Sequence, residues 1–166
     1  MNFIVAVTND YAIGRKNDLL FNIPTDLKYF KEHTINKVII MGEKTYLSLP
    51  KRPLPKRTTI VLSNNHDFFD NGIIIKRDLN SLFEEIKKYN KDDVWVCGGG
   101  SIYNLLMDYC EKAYITKIDA IVPADIYIRN IEEEGNWEEI SSSEVFEENG
   151  VTFKFKVFEN KNIKAF

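Results

Sequence analysis

Apolar residues along this chain fall into two spacings, and each predicts an element. Unbroken runs such as Phe3-Ile4-Val5-Ala6-Val7, Val38-Ile39-Ile40-Met41 and Val94-Trp95-Val96-Cys97 are the pattern of strands buried on both faces. Leu79, Leu82, Phe83 and Ile86 instead form a stripe at helical spacing, with Asp78 placed to cap that helix. Pro24 opens another helix, at the first-turn position where its missing N–H costs nothing, and that helix runs to residue 34. Residues 2–8, 38–41, 58–63, 73–76, 94–97 and 112–119 are therefore expected strands. Residues 9–22 read as a long polar loop and 43–49 as a short helix. A further helix follows Gly98-Gly99-Gly100, with Ile102, Leu105 and Leu106 facing inward. Residues 137–142 and 151–159 close the chain as β structure without a helix between them.

Strands alternating with helices imply a single α/β domain spanning residues 1–166. The expected architecture is a predominantly parallel eight-stranded sheet with an antiparallel C-terminal edge strand and about four flanking helices. In such sheets ligands sit at the carboxyl ends of the strands.

Composition narrows the function. Hydrophobic residues at 44% and charged residues at 28% give a globular domain with a real core. A net charge of -3 argues against a nucleic-acid-binding protein. The N-terminus has no signal-peptide pattern, and no apolar run approaches the roughly 18 residues of a membrane span. Cys97 and Cys110 lie in apolar segments without metal-ligand spacing, as expected of reduced thiols in a cytoplasmic protein, and neither His33 nor His66 has a nearby co-ligand. No metal site is expected. Eight glutamates and no Lys or Arg between residues 132 and 148 read as a solvated face. Lys51-Arg52-Pro53-Leu54-Pro55-Lys56-Arg57 packs four cations into seven residues and suits a small anionic ligand.

Two strand-to-helix junctions have the chemistry of phosphate binding. After Cys97, three glycines allow close backbone approach and lead into a helix start. Gly-Gly-Gly-Ser matches neither the Rossmann fingerprint nor a P-loop, and alone a tight turn explains it equally well. Met41-Gly42-Glu43-Lys44-Thr45 repeats the arrangement and adds a cation and a hydroxyl. Two such junctions suit the two phosphates of a dinucleotide. An isolated acid such as Asp26, in a first helical turn, is more often a surface residue. Here Phe30 shares its helix face, and Leu27 and the run from Ile4 to Val7 offer apolar walls. A carboxylate in that setting recognises a flat, hydrogen-bonding heterocycle. Burial raises its pKa and the helix terminus lowers it, so the sequence leaves the net shift open.

These segments together resemble the dihydrofolate reductase family from near the first residue to near the last. The matching segments are Ile13-Gly14, Asn22-Ile23-Pro24-Thr25-Asp26-Leu27, Ile40-Met41-Gly42 with Thr45, Arg52-Pro53-Leu54-Pro55 with Arg57, Leu62-Ser63, Gly98-Gly99-Gly100-Ser101-Ile102-Tyr103 and Thr116-Lys117-Ile118-Asp119. The resemblance implies NADPH-dependent reduction of 7,8-dihydrofolate to tetrahydrofolate, by hydride transfer to C6 and protonation at N5. It implies that Asp26, hydrogen-bonded to Thr116, binds the pteridine. Ile4, Val5, Leu27, Phe30, Leu54 and Cys97 are then apolar walls, and Arg57 clamps the α-carboxylate of the glutamate tail. On the cofactor side it implies Ala6 and Ile13 near the nicotinamide, with Tyr103 close to the reacting rings. Lys44, Thr45 and the stretch Gly99, Gly100, Ser101 and Ile102 match pyrophosphate contacts, and Gly14, Gly42 and Gly98 are further expected cofactor contacts. The family holds the Gly98-Gly99 bond in the cis form. Dihydrofolate and antifolate inhibitors are the implied partners, and a monomer is the default.

The chain departs from the family at three places. Leu20-Phe21 replaces the usual Pro-Trp, keeping an aromatic surface without an indole N–H. Glu43 takes a position often basic and close to the 2′-phosphate, leaving Lys44, Ser63, Asn64, Lys76 and Arg77 as partners for that group, with Leu62 a further expected cofactor contact. Tyr127-Ile128 follows Asp125 where an aromatic-Pro pair is usual. The competing readings are a pyrimidine or pterin reductase of the same fold and a non-catalytic nucleotide-binding module; Asp26 with Phe30 and Arg57 favours folate.

Overall fold

Adjacent residues of the apolar runs serve opposite faces of one sheet, and that division builds two cores. The computed structural model describes all residues from Met1 to Phe166. The strands and helices are β1 (Asn2–Val7), β2 (Ala12–Arg15), β3 (Asp18–Leu19), α1 (Pro24–Thr34), β4 (Val38–Gly42), α2 (Glu43–Ser48), β5 (Thr58–Leu62), β6 (Ile74–Lys76) and α3 (Leu79–Ile86). They continue with β7 (Val94–Val96), α4 (Gly100–Leu106), β8 (Lys112–Ile118), β9 (Ile126–Tyr127), β10 (Trp137–Ser142), β11 (Phe146–Glu148) and β12 (Val151–Asn160).

The central sheet has the order β10-β12-β8-β1-β7-β4-β5-β6. Every pairing from β8 to β6 is parallel, while β12 and β10 add an antiparallel edge. The expected parallel sheet with its antiparallel C-terminal end is therefore present. β11 pairs with β12 as an additional strand off this path.

Phe3, Val5, Val38, Ile40, Val94, Val96 and Ile115 join the core beneath α3 and α4. Their neighbours Ile4, Ile39, Met41 and Trp95 join the second core, where Tyr29 and Phe30 of α1 pack. Successive side chains on a strand point to opposite faces, so an unbroken apolar run is what a sheet covered on both sides requires. Asp78 caps α3 by accepting from the Ser81 N–H, as its position in the sequence implied.

Three expectations are corrected. Residues 9–22 are not all loop: β2 and β3 form a hairpin that pairs with β9 in a separate three-stranded sheet. Lys16 and Asn17 both adopt positive φ, the geometry of a two-residue hairpin turn, without the glycine that normally advertises one. On α4 the inward stripe is Ile102, Tyr103 and Leu106, while Leu105 is exposed. The acidic segment is not simply solvated: Glu132 meets Tyr11 and Lys117, Glu134 meets Arg129, and Glu139 meets Lys156. No helix is long and apolar enough to cross a membrane.

Ile40 is completely buried on β4, an interior strand of the sheet, in the core beneath α3 and α4. Ile40→Ala is expected to destabilise the protein by about 2–5 kcal/mol, read as a lower urea midpoint with an unchanged m-value.

Candidate functional site

Strand parity decides which side chains face α1. Ala6 on β1 is in register with Thr116 on β8, which is in register with Phe155 on β12. Ile115 faces the α3–α4 side, so Thr116 faces α1. Its buried hydroxyl donates to Asp26 Oδ1 at 2.5 Å. Helix α1 carries Asp26 in its first turn and Phe30 one turn later; Phe30, Leu54 and Cys97 pack partly buried against the core that includes Ile4. Leu27 is half exposed. Val5 lies between Ile4 and Ala6 on β1, and its side chain joins the opposite core. Phe21 packs with Ala6, Ile23, Ile118 and Phe153.

Burial pushes the Asp26 carboxyl above its ordinary value, and the Thr116 hydrogen bond opposes that shift without overcoming it. The question the sequence left open is thereby settled in favour of burial. Burial likewise raises the Cys97 thiol, so it remains a neutral apolar wall. Arg57 donates from Nε to Thr34 Oγ1 at 3.3 Å and from Nη1 to the Pro55 carbonyl at 3.0 Å. It pairs with no carboxylate of the protein. Burial lowers its pKa from the usual arginine value, the signature of a guanidinium partly removed from water without an anion. Thr34 anchors it in turn by donating to the Phe30 carbonyl. Sequence reasoning missed Thr34, whose only signal was a hydroxyl in the last turn of the helix carrying Asp26.

The two glycine junctions pack against each other. Gly42 N–H donates to the Gly98 carbonyl at 2.9 Å, and the Gly98-Gly99 peptide is cis, as the resemblance implied. A Cβ on Gly99 would lie 3.0 Å from Thr45 Oγ1, and one on Gly42 would lie 3.1 Å from Ile102 Cγ1. A Cβ on Gly100 would collide with Ile126 at 2.7 Å, with Ile13 also close. Gly98 has φ +116 and lies under the Tyr103 ring, whose hydroxyl donates to the Ile4 carbonyl at 2.6 Å. The N–H groups of Gly100 and Ser101, at the start of α4, have no backbone acceptor. Free donors, Lys44 without an ion pair, and glycines too crowded for side chains suit a pyrophosphate.

At the far end of β4, β5 and β6 the residues divide differently. Ser63 Oγ donates to Glu43 Oε1 at 2.6 Å. Arg77 donates to the carbonyls of Ser63, Asn65 and Phe68, and Lys76 meets the buried Glu85 at 3.5 Å. Of the cations expected there, only Lys44 is uncommitted; Leu62 is partly buried and Asn64 exposed. His, Cys, Asp and Glu residues nowhere gather in a group able to hold a metal.

A site for a dinucleotide beside a carboxylate held half out of water is the combination that nucleotide-dependent reductases need, and the chain is of that class. Residues 1–160 match the family model described as dihydrofolate reductase. The chain is 38% identical to a dihydrofolate reductase of Buchnera aphidicola subsp. Acyrthosiphon pisum, over 76% of this chain and 77% of that one. It is 33% identical to that of Bacillus subtilis, over 98% and 95%. A solved structure of dihydrofolate reductase from Enterococcus faecalis, complexed with NADP(H) and RAB-propyl, superposes with a TM-score of 0.84 at 29% identity, covering 96% of this chain and 95% of that one. This chain belongs to the dihydrofolate reductase family and is an NADPH-dependent oxidoreductase acting on dihydrofolate.

Because Asp26 has a raised pKa, the folded state binds its proton more tightly than the unfolded chain does. Its contribution to stability is thus full below the ordinary carboxylate range of the unfolded chain and is lost as pH rises through the higher native value. Asp26→Asn, which can still accept from Thr116, is expected to unfold at higher urea than wild type at pH 7. That advantage should shrink towards pH 3 in parallel titrations.

Proposed function

We propose that Asp26 and Thr116 are the residues of the reaction centre and that the α1 cleft seats the pterin of dihydrofolate. The single observation carrying this is the half-buried Asp26 carboxylate, fixed by Thr116, on the face of the sheet where Ile4, Phe30, Leu54 and Cys97 pack together and with Leu27 next to it on α1. A carboxylate there accepts two hydrogen bonds from a ring N–H and an exocyclic amino group, and the apolar walls strengthen both by excluding water. When NADPH is bound, the hydride for C6 comes from its reduced nicotinamide. The chain's part is to hold the two rings face to face and to polarise the pterin so that N5 becomes basic. Water delivers the proton to N5, since Asp26 binds the opposite edge of the ring.

Ala6, Ile13, Gly14 and Tyr103 are assigned to the nicotinamide. Gly42, Lys44, Thr45 and the stretch Gly98, Gly99, Gly100, Ser101 and Ile102 are assigned to the pyrophosphate. Leu62, Ser63, Asn64, Lys76 and Arg77 are assigned to the adenosine end. There Lys76 and Arg77 are engaged within the protein, so Lys44, placed between the pyrophosphate and the adenosine end, is the one cation left to share with the 2′-phosphate. Arg57 takes the α-carboxylate of the glutamate tail, and antifolates occupy the same cleft. The whole chain, residues 1–166, acts as one domain and as a monomer without nucleic acid, a reading supported by its negative net charge. Two unpaired cysteines support a cytoplasmic setting.

Asp26→Asn tests the assignment. Turnover near neutral pH, followed by loss of NADPH absorbance with dihydrofolate, is expected to fall roughly 100-fold or more. Turnover within threefold of wild type would remove Asp26 from the reaction centre. Arg57→Lys is expected to raise the KM for dihydrofolate about tenfold, the loss of one bidentate pair, while the KM for NADPH stays within twofold. Equal changes in both constants would place Arg57 elsewhere.

A further inference from the structure

Helix α1 does not cap itself. Its N-cap residue, Ile23, has no side chain able to accept a hydrogen bond. Pro24 has no N–H, and the N–H groups of Asp26 and Leu27 both bond to the Ile23 carbonyl. Thr25 is left with the one orphan donor of the first turn. Its acceptor comes from the other end of the chain: Glu148 Oε1 accepts the Thr25 N–H at 2.9 Å, and Glu148 Oε2 accepts the Thr25 hydroxyl at 2.7 Å. The neighbouring Asn149 donates from Nδ2 to the Asn22 carbonyl at 2.8 Å.

Glu148 and Asn149 lie at the tip of the β11–β12 hairpin, where Asn149 and Gly150 both have positive φ and make a tight two-residue turn. The same hairpin grips α1 again one turn later. Phe155 of β12 stacks on Tyr29 with ring centroids 4.0 Å apart, and Phe146 and Phe153 pack behind Phe155. Asp26 therefore lies between two points at which the hairpin holds the helix. Its own bond to Thr116 is made on the strand that pairs with β12. Thr25 holds the Glu148 carboxyl below its usual range, so it is ionised at neutral pH and both hydrogen bonds are charge-assisted.

We propose that Glu148 is a positioning residue for dihydrofolate binding, acting through Thr25 to set the height and orientation of Asp26 over the pterin site. It touches neither substrate nor cofactor. The inference rests on Asp26 being the carboxylate that binds the ring. A displacement of the first turn by even a fraction of an ångström misaligns a two-point hydrogen bond to a flat ring, whereas the glycine junctions on the other side of Thr116 do not feel it.

The experiment compares Glu148→Ala, Glu148→Gln and Thr25→Val in the full-length protein. The readouts are steady-state kinetics, equilibrium binding of folate and of NADPH by tryptophan fluorescence, and amide hydrogen exchange at Thr25, Asp26 and Leu27. Glu148→Ala is expected to raise the folate Kd and the dihydrofolate KM roughly fivefold, the size of one lost cap, with the NADPH Kd within twofold. Exchange at Thr25 and Asp26 should quicken. Glu148→Gln, which still offers one acceptor oxygen, should recover most of the folate affinity, and Thr25→Val should fall between it and Glu148→Ala. Unchanged folate Kd and dihydrofolate KM in Glu148→Ala would overturn the proposal, even with a lower Tm. So would equal losses for folate and NADPH, which would mark general loosening. Should Glu148→Ala fail to fold, the ratio of folate to NADPH affinity in Glu148→Gln and Thr25→Val decides in the same way. Failure of Asp26 itself would appear separately, as near-normal turnover in Asp26→Asn.

Discussion

A charged group held partly out of water is the constraint around which this protein is arranged. Moving the Asp26 carboxylate out of water costs free energy, and the raised pKa is the visible sign of that cost. One hydroxyl, that of Thr116, offsets part of it without neutralising the acid. The remaining groups on that side of the sheet are apolar or nearly so. They keep the carboxylate in a medium where a second hydrogen-bonding partner is worth more than it would be in bulk solvent. Satisfied by too many donors of its own, the acid would have little left to offer a ligand.

The cofactor side obeys a different constraint, which is closeness. Gly42, Gly99 and Gly100 each sit where a methyl group would strike Ile102, Thr45 or Ile126. Two strand ends and two helix starts thereby converge on a small volume in which backbone N–H groups are the principal donors. A long side chain could not deliver donors as densely or as rigidly. The second, small sheet takes part because Ile126 of β9 and Ile13 of β2 form the wall against Gly100.

Much of this was legible in the sequence, for reasons that can be traced to particular residues. The runs at 38–41 and 94–97 revealed buried parallel strands because both faces of each strand are covered, so nothing polar interrupts them. Asp26, Thr116 and Arg57 were found through motif order, which tracks the segments that converge in space. Other features left no local trace. The Lys16-Asn17 turn lacks a glycine, so the β2–β3 hairpin looked like loop. The commitment of Arg77 to carbonyls and of Lys76 to Glu85 depends on the path of the chain after β5. The face that Val5 takes left no trace either, because a run of five apolar residues does not announce which members face which side. The pairing of Glu148 with Thr25 spans 123 positions and has no periodicity at all.

That alternation along the strands has an implication for how such a protein responds to substitution. Ile39 and Ile40 are neighbours in the chain, yet one lies in the layer under the folate cleft and the other in the layer under α3 and α4. Each strand therefore carries two interleaved messages, one for each layer. A substitution at one set of alternate positions disturbs the layer against α1, and one at the other set disturbs the layer against α3 and α4. A single-residue slip of the strand would exchange the two sets and spoil both layers at once.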